Sequence, residues 1–460
     1  MITSTKMKIG VIGGGPAGIA TAIKLKQFDF DVIIFNANKQ NQITIGEHLA
    51  AEAIHEFKKL KIPKAILKNN SIPCTEVQSA WGNEKIHFNE SVFNPFGAGY
   101  ILSRPDFDFT LLNHCDSIGI DIKNDTRISK IERIDDRWKL HSNKNIFYVD
   151  FIVDASGRNS KFNFDFPLKK EKQDQLIGIT KHLQLNSITS IKSSHLLVEP
   201  TKNGWWYTVQ IASGTIVSTF MTDAKILANY DGSSSDFWNE QLKNSNYSKA
   251  RLNSIKTPEK LFTLSAHSHL SQYLFGEKWL KVGDAAQSFD PLSSAGILKG
   301  LKMGQQAAEA IKDFVNGDKN AFKSYQNNIE NQHQEYLEIK KQYYAQEKRW
   351  LDHSFWYERN VQLKNIEYFT ITPTHKLQVS PIISEEKIAF LQQQVPDINF
   401  NLLLTCITNQ ETTKKAVNSY LIKTNAKKMN PFLLHALEGL KTTGCISLLV
   451  KKKNTTRIFH

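Results

Sequence analysis

At 460 residues, 40 % of them hydrophobic, with a mean hydropathy of −0.38, the chain is long enough for two or three domains around a sizeable core. No apolar run approaches the roughly 18 residues needed to cross a bilayer. The start, MITSTKMKIG, has no apolar signal-peptide core. Four scattered cysteines, Cys74, Cys115, Cys406 and Cys445, form no C-x-x-C pair. Structural zinc and a disulfide framework are therefore not expected, and a cytoplasmic setting is. Of the net charge of +13, +8 falls after residue 400, where Glu411 and Glu438 are the only acids. Either an acidic partner for that end or a solvated lysine-rich surface fits this charge.

Residues 8–36, KIGVIGGGPAGIATAIKLKQFDFDVIIFN, read as one βαβ unit: an apolar run, a glycine turn, a small-residue helix and a second apolar run. Gly13, Gly15 and Gly18 satisfy G-x-G-x-x-G, the pattern that brings a pyrophosphate against backbone at a helix start. Pro16 and Ala17 lie inside the motif. Residues 46–62 recur at helical spacing. Short strands and turns follow over 74–101, then a helix over 104–119 entered through Pro105 and stopped by Gly119. A three-stranded meander leads into an apolar strand ending at Asp154-Ala155-Ser156-Gly157-Arg158. Four strand-like runs over 176–221 predict an antiparallel sheet, completed by a helix near 236–243 and a strand near 260–266. Residues 279–317 return to a buried strand, a loop with Asp284 and Pro291, and a long helix. Residues 321–360 are helical and rich in aromatics. Beyond the prolines of 373–381, short amphipathic helices precede GCISLLVKKKNTTRIFH, a pattern that suggests a winged-helix-like module.

Three separated segments, 13–18, 154–158 and 282–297, each place a loop after a strand, where it can meet a dinucleotide. Asp284 is suited to flavin ribitol hydroxyls. Free N–H groups at Ala295, Gly296 and Ile297 are suited to the anionic edge of a reduced flavin. On these segments, residues 7–360 resemble the FAD-dependent monooxygenases of the aromatic-hydroxylase fold, in the branch that includes flavin-dependent tryptophan halogenases. GWWYTVQIASGTIVSTFMTD (204–223), WLKVGDAAQSFDPLSSAGI (279–297) and YYAQEKRWLDHSFWYERN (343–360) further resemble the hydroxylases that mature protein-derived quinone cofactors. Those include the maturases of lysine ε-oxidase, glycine oxidase and quinohaemoprotein amine dehydrogenase.

The resemblance implies an α/β, Rossmann-like FAD domain of the glutathione-reductase-like type over 1–165 and 266–320. It implies an inserted antiparallel substrate sheet over 166–265, with 74–103 contributing to the substrate side. The helical C-terminal region divides into an aromatic segment, 321–372, and a small basic module, 382–460. The implied chemistry is hydroxylation of a tryptophan on a peptide or protein partner through a flavin C4a-hydroperoxide. Molecular oxygen is the co-substrate, and NAD(P)H or reduced flavin the reductant. No second glycine unit is present, so the reductant docks transiently or a separate flavin reductase supplies it.

Two departures matter. The halogenases carry a lysine after the first segment, where this chain has Ser79-Ala80-Trp81-Gly82, with Lys85 nearest, and their W-x-W-x-I-P motif is replaced by Trp205-Trp206-Tyr207. Halogenation of an indole or phenol becomes the alternative. A binding module for nucleic acid or peptide ranks below it, because such a module does not need all three FAD segments. Asn36 stands where the family has an acid for the adenosine ribose, and Arg104 matches an arginine that contacts FAD. The catalytic-side candidates are His48, Trp81, Trp206 and Pro291, with Trp205 and Tyr207 as further wall candidates. No metal ligands are expected. The partner is expected to contact the C-terminal module, with no membrane and no nucleic acid involved.

Overall fold

A computed structural model describes residues 6–37, 46–68, 70–91, 94–165, 170–184, 194–252, 261–364, 376–381, 383–394, 398–408, 412–424 and 445–449, with Leu437 and Leu440. The chain divides into two compact units, Met1–Asn360 and Val361–His460.

In the first unit, β1 (Lys8–Ile12) and the strand β2 (Asp31–Phe35) each bury four of their five residues. Continuous rather than alternating burial marks strands covered on both faces. They lie at the centre of a six-stranded sheet ordered Phe275–Gly276, Trp279–Lys281, Phe151–Asp154, β1, β2, Asp121–Lys123. All neighbours are parallel except the antiparallel Phe275–Gly276 edge. The helix α1 (Pro16–Gln27) joins β1 to β2. It packs against α2 (Gly296–Val315) through Ala17, Ala20, Gly300 and Gly304, small residues that let the two backbones approach closely. Strands 128–134, 137–142 and 146–149 form the expected separate meander.

The second sheet has nine strands. The strands of the inserted segment, Leu176–Gln184, Ser194–Thr201, Gly204–Gln210, Thr215–Asp223 and Leu261–Ser265, are continued by Ser71–Ser79, Gly99–Leu102 and His48–Leu49; His87–Glu90 pairs on Ser71–Ser79. This corrects the reading of residues 46–62 as a helix throughout. His48 pairs with Ile101 and Leu49 with Tyr100, and the helix begins only at Ala53. The Glu47 carbonyl accepts from Leu102 N at 2.7 Å, so neighbouring strands take the backbone groups a helix would have used.

Along Gly204–Gln210 the side chains alternate between faces. Trp205 and Tyr207 stand opposite Met221 and Thr219, and Trp206 stands opposite Phe220. Trp206 therefore packs with Phe220, Phe237 and Trp238. The aromatic segment forms α3 (Ala321–Gln346) and the helix Ser354–Lys364. Tyr344, Phe355 and Trp356 are buried with Trp205 in a cluster against which Trp81 packs.

The second unit contains helices Glu385–Gln394, Phe400–Thr408 and Thr413–Lys423. Lys376–Val379 pairs antiparallel with Ile446–Leu449. A winged helix would close on a terminal hairpin; among the described residues the last strand instead pairs with one preceding the helices. Leu377, Phe400, Leu403, Val417 and Ile446 share the core that ties them together. Lys427, Lys428, Lys441, Lys451, Lys452, Lys453 and Arg457 lie outside the described residues.

Candidate active site

The three separated loops meet. One cavity of about 410 Å³ is lined by Gly15, Pro16 and Ala17 at the start of α1, by Ala155, Gly157 and Arg158, and by residues from Gly283 to Gly300. Its other wall comes from the second sheet: Glu47, His48, Tyr207, Thr219, Met221, Leu264 and Ser265.

The glycine turn is shaped by close contacts. A Cβ on Gly13, whose φ is +122°, would lie 2.2 Å from Ala155 O, and one on Gly18 would lie 2.1 Å from Gly13 O. Both positions exclude any side chain. A Cβ on Gly15 or Gly296 would meet nothing within 4 Å. The cavity therefore has open space at the beginnings of α1 and α2, where the unpaired first-turn N–H groups of helices attract anions. Asp154, fully buried, accepts from Ser156 N at 3.0 Å, Ser156 Oγ at 2.5 Å and Ser160 Oγ at 2.6 Å, and so fixes the loop beneath Gly13.

Asp284 follows the Trp279–Lys281 strand. Lys299 Nζ donates to its Oδ1 at 2.7 Å and Arg158 to its Oδ2 at 3.3 Å. Burial alone would raise the Asp284 pKa, but Lys299, then Arg158, overcome it and hold the carboxyl below the usual range. Arg158 also donates to Ser265 O and Phe289 O, tying the two sheets together at the cavity. Asp290 caps the turn before α2 by accepting from Leu292 N at 2.9 Å, and Tyr344 Oη donates to its other oxygen at 2.8 Å.

Each residue singled out in the sequence can now be placed. Gly15, Pro16, Ala17, Arg104, Asp284, Gly296, Ile297, His48 and Pro291 line the cavity. Gly13 and Gly18 shape its turn. Asn36 is buried at the end of β2, where its Nδ2 donates to Asn124 Oδ1 at 3.1 Å. Arg104 is buried, bonded through Nε and Nη2 to Asp108 and through Nη1 to Gly46 O. His48 has a buried Nδ1 without a partner, and burial lowers its pKa, favouring the neutral ring.

Trp81 and Trp206 stand away from the cavity. Trp81 donates from Nε1 to Tyr343 O at 2.7 Å and meets Trp205, Tyr344 and Trp356 edge-on. Trp205 donates to Tyr344 Oη at 3.1 Å. Trp206 is on the opposite face of its strand, so only Tyr207 of that triplet reaches the lining.

Glu47, Arg158, Asp290 and Lys299 were not among the sequence candidates. Glu47 carried no separate signal once residues 46–62 were read as a helix, since an acid beside His48 at a helix start is commonplace. Glu47 is 3 % exposed and Tyr207 is 9 % exposed. Glu47 Oε1 and Tyr207 Oη make no hydrogen bond of ordinary geometry. They lie close enough to perturb each other's titration: burial, then Glu47, raises the Tyr207 pKa well above the ordinary phenol, and burial raises Glu47.

These features fit FAD. Three backbone loops, an acid after a strand and two open helix starts form a cradle that would hold a dinucleotide. The molecule is a flavin-dependent oxidoreductase with FAD as cofactor. No family model matches the chain. It is 30 % identical over 358 residues to LodB of Marinomonas mediterranea, assigned as an FAD-dependent oxidoreductase, an alignment covering 76 % of this chain and 96 % of LodB. The chain belongs to that family of FAD-dependent oxidoreductases. A tryptophan 2-halogenase of Chondromyces crocatus is 22 % identical, over 68 % of this chain and 62 % of its own length. Among solved structures, the peptidyl tryptophan dihydroxylase QhpG, essential for tryptophylquinone cofactor biogenesis, superposes with a TM-score of 0.68 at 20 % identity, covering 83 % of this chain and 85 % of QhpG. The flavin-dependent halogenase CmlS gives 0.70 at 14 %, covering 98 % and 97 %. These two likenesses define the shared fold. No described helix is long and apolar enough to cross a membrane.

Proposed function

We propose that the protein hydroxylates an aromatic side chain, tryptophan, on a peptide or protein partner. The observation that carries this reading is the lining of the cavity: among the described residues no lysine reaches it, and its charged groups are Glu47, Arg104, Arg158, Asp284 and Asp290. Lys85, the nearest in sequence to the halogenase position, is exposed on a hairpin turn. Its backbone N–H is tied to Asn83 Oδ1 at 2.8 Å. The segment before it is anchored away from the cavity by Trp81, whose ring packs among Trp205, Tyr344 and Trp356. A cavity without that lysine lacks the group that carries halogen in the resembled enzymes. The peptide nature of the substrate is supported by the likeness to QhpG, which is described as acting on peptidyl tryptophan.

Bound FAD, once reduced, supplies oxygen activation; the chain's own residues do the rest. Gly15–Ala17 and the start of α2 would hold the phosphates and the anionic ring edge. Asp284, kept ionised by Lys299 and Arg158, would accept hydrogen bonds from the ribitol hydroxyls. Tyr207, Met221, Leu264, Phe289 and Pro291 present mostly apolar surface, which excludes water from the reacting atoms. The C-terminal unit, we infer, grips the partner, and a separate reductase or NAD(P)H supplies electrons.

The test is co-expression with the product of the neighbouring coding sequence, followed by mass spectrometry of its tryptophans. Gain of one or two oxygen atoms that depends on this chain supports the reading. Gain of halogen in halide-containing medium, or no change on tryptophan, overturns it.

A further inference from the structure

The cavity contains a pair of polar groups that the flavin cradle leaves unused. Glu47 directly precedes the short strand His48–Leu49 beside Gly99–Leu102, and Tyr207 comes from the strand Gly204–Gln210. Both are at least nine-tenths buried and both line the cavity; Glu47 Oε1 makes no hydrogen bond of ordinary geometry, and the Tyr207 hydroxyl lies beside the carboxyl. A buried carboxylate oxygen left short of donors is unfavourable, and a bound molecule can supply one. Arg104 directs its Nε and Nη2 to Asp108 and its Nη1 to Gly46 O, while its charge is felt at Glu47. Around the pair the wall is Met221, Leu264 and Phe289, with Thr219 directly across from Tyr207. The fitting ligand is a flat apolar ring carrying a single polar donor. Indole has that form, since its N–H is its only hydrogen-bonding group.

We propose that Glu47, braced by Tyr207, is the specificity-determining group that accepts the ring N–H of the substrate indole. This rests on the tryptophan reading above and deepens it. The hydrogen bond orients the ring in its own plane, so that one carbon edge is presented to the flavin and the others are turned away. It is charge-assisted, and such bonds are the stronger class. Removing the N–H by methylation leaves the carboxylate buried and unpaired, a penalty that polar sites turn into large discrimination between close analogues.

The groups facing Glu47 are Arg104, Tyr207 and His48, with Cys74 beyond Tyr207. The accepting form is the carboxylate. Burial raises the Glu47 pKa, and its own backbone N–H, then Arg104 and Tyr207, oppose that rise. Selectivity for the N–H should therefore be full at higher pH and fade as pH falls through the raised value.

The experiment uses the full-length, FAD-loaded protein, titrated with N-acetyl-tryptophanamide, its 1-methylindole derivative and N-acetyl-tyrosinamide, followed by the flavin difference spectrum. Wild type should bind the indole at least tenfold more tightly than the 1-methylindole. Glu47→Gln should reduce that ratio to within threefold and remove its pH dependence while FAD affinity stays unchanged; Tyr207→Phe should reduce it partly. Equal binding of the two indoles by wild type overturns the assignment and leaves the tryptophan reading standing. Binding of neither indole, or preference for the tyrosinamide, overturns the tryptophan reading and this inference with it. A Glu47→Gln protein that loses FAD affinity tenfold while keeping the indole preference assigns Glu47 to the flavin and overturns the proposal.

Discussion

Gly304→Ala tests whether the close approach of α1 and α2 sets the cofactor site. Gly304 lies in α2 against α1. A Cβ there would fall 2.6 Å from Ala17 O, 2.7 Å from Ala20 Cβ and 2.8 Å from Thr21 N. Two of these are backbone atoms and the third is a Cβ, so none can rotate aside. Ordinary contact begins at 3.4 Å, and the helices must part by about 0.8 Å for the shortest of these contacts to reach it. Over-packing of this kind costs about 1–3 kcal/mol. Replacing glycine by alanine inside a helix returns about 1 kcal/mol. The net loss is about 0–2 kcal/mol, equivalent to a fall in Tm of up to about 3 °C for a unit of this size. The functional effect should exceed the effect on stability. Both helix starts border the FAD cavity, and displacement of one against the other weakens FAD binding by about tenfold, since misplacement near 1 Å is worth up to about a hundredfold. Thermal melts with and without FAD, together with quenching of FAD fluorescence, measure the two effects separately. Unchanged Tm and unchanged FAD affinity would show that the helices are not locked at this contact.

Arg359 is 2.7 Å from Asp223 through both Nη atoms, with side chains 9 % and 4 % exposed, and its guanidinium lies 3.6 Å over Phe355. Arg359→Met strands a buried carboxylate and should cost about 3–5 kcal/mol in urea unfolding; a loss below about 1 kcal/mol would refute the pairing. Burial, then neighbouring cations (Lys172 for His267, Lys170 for His269), lowers His267 to about 4 and His269 to about 3, against an ordinary 6.5. Because the unfolded chain takes up these protons first, stability should fall as pH drops from about 6.5 toward those values. Each histidine accounts for about 1.4 kcal/mol per pH unit there. Urea midpoints should fall less steeply in His269→Gln; an equal slope would remove His269 from the account. Deleting residues 382–460 should spare the FAD spectrum and abolish modification of the partner, as read by mass spectrometry. Continued modification would show that the C-terminal unit is not needed to hold it.

What the sequence determined by itself was the cofactor cradle and the elements around it. Gly13, Gly15, Gly18, Asp154–Arg158 and Asp284–Ile297 are legible because backbone needs are local: a positive φ, a helix start or a buried parallel strand each leaves its mark within a few residues. The resemblance carried by those segments extended this to the two-sheet fold. What only the tertiary structure decided was which side chains face the cavity. Trp206 and Tyr207 are neighbours in sequence and point to opposite faces of one strand, a choice fixed by pairing with Phe220 and Thr219 rather than by residue type. Trp81 is drawn into a cluster with Tyr344 and Trp356, more than 260 residues further on. Glu47 becomes a cavity residue because the strand that follows it, His48–Leu49, pairs with Gly99–Leu102, and Lys299 and Arg158 matter because they converge on Asp284 from two other elements. Long-range strand pairing and the meeting of distant loops carry no local signature, so the cradle is written in the sequence and its lining is settled by packing.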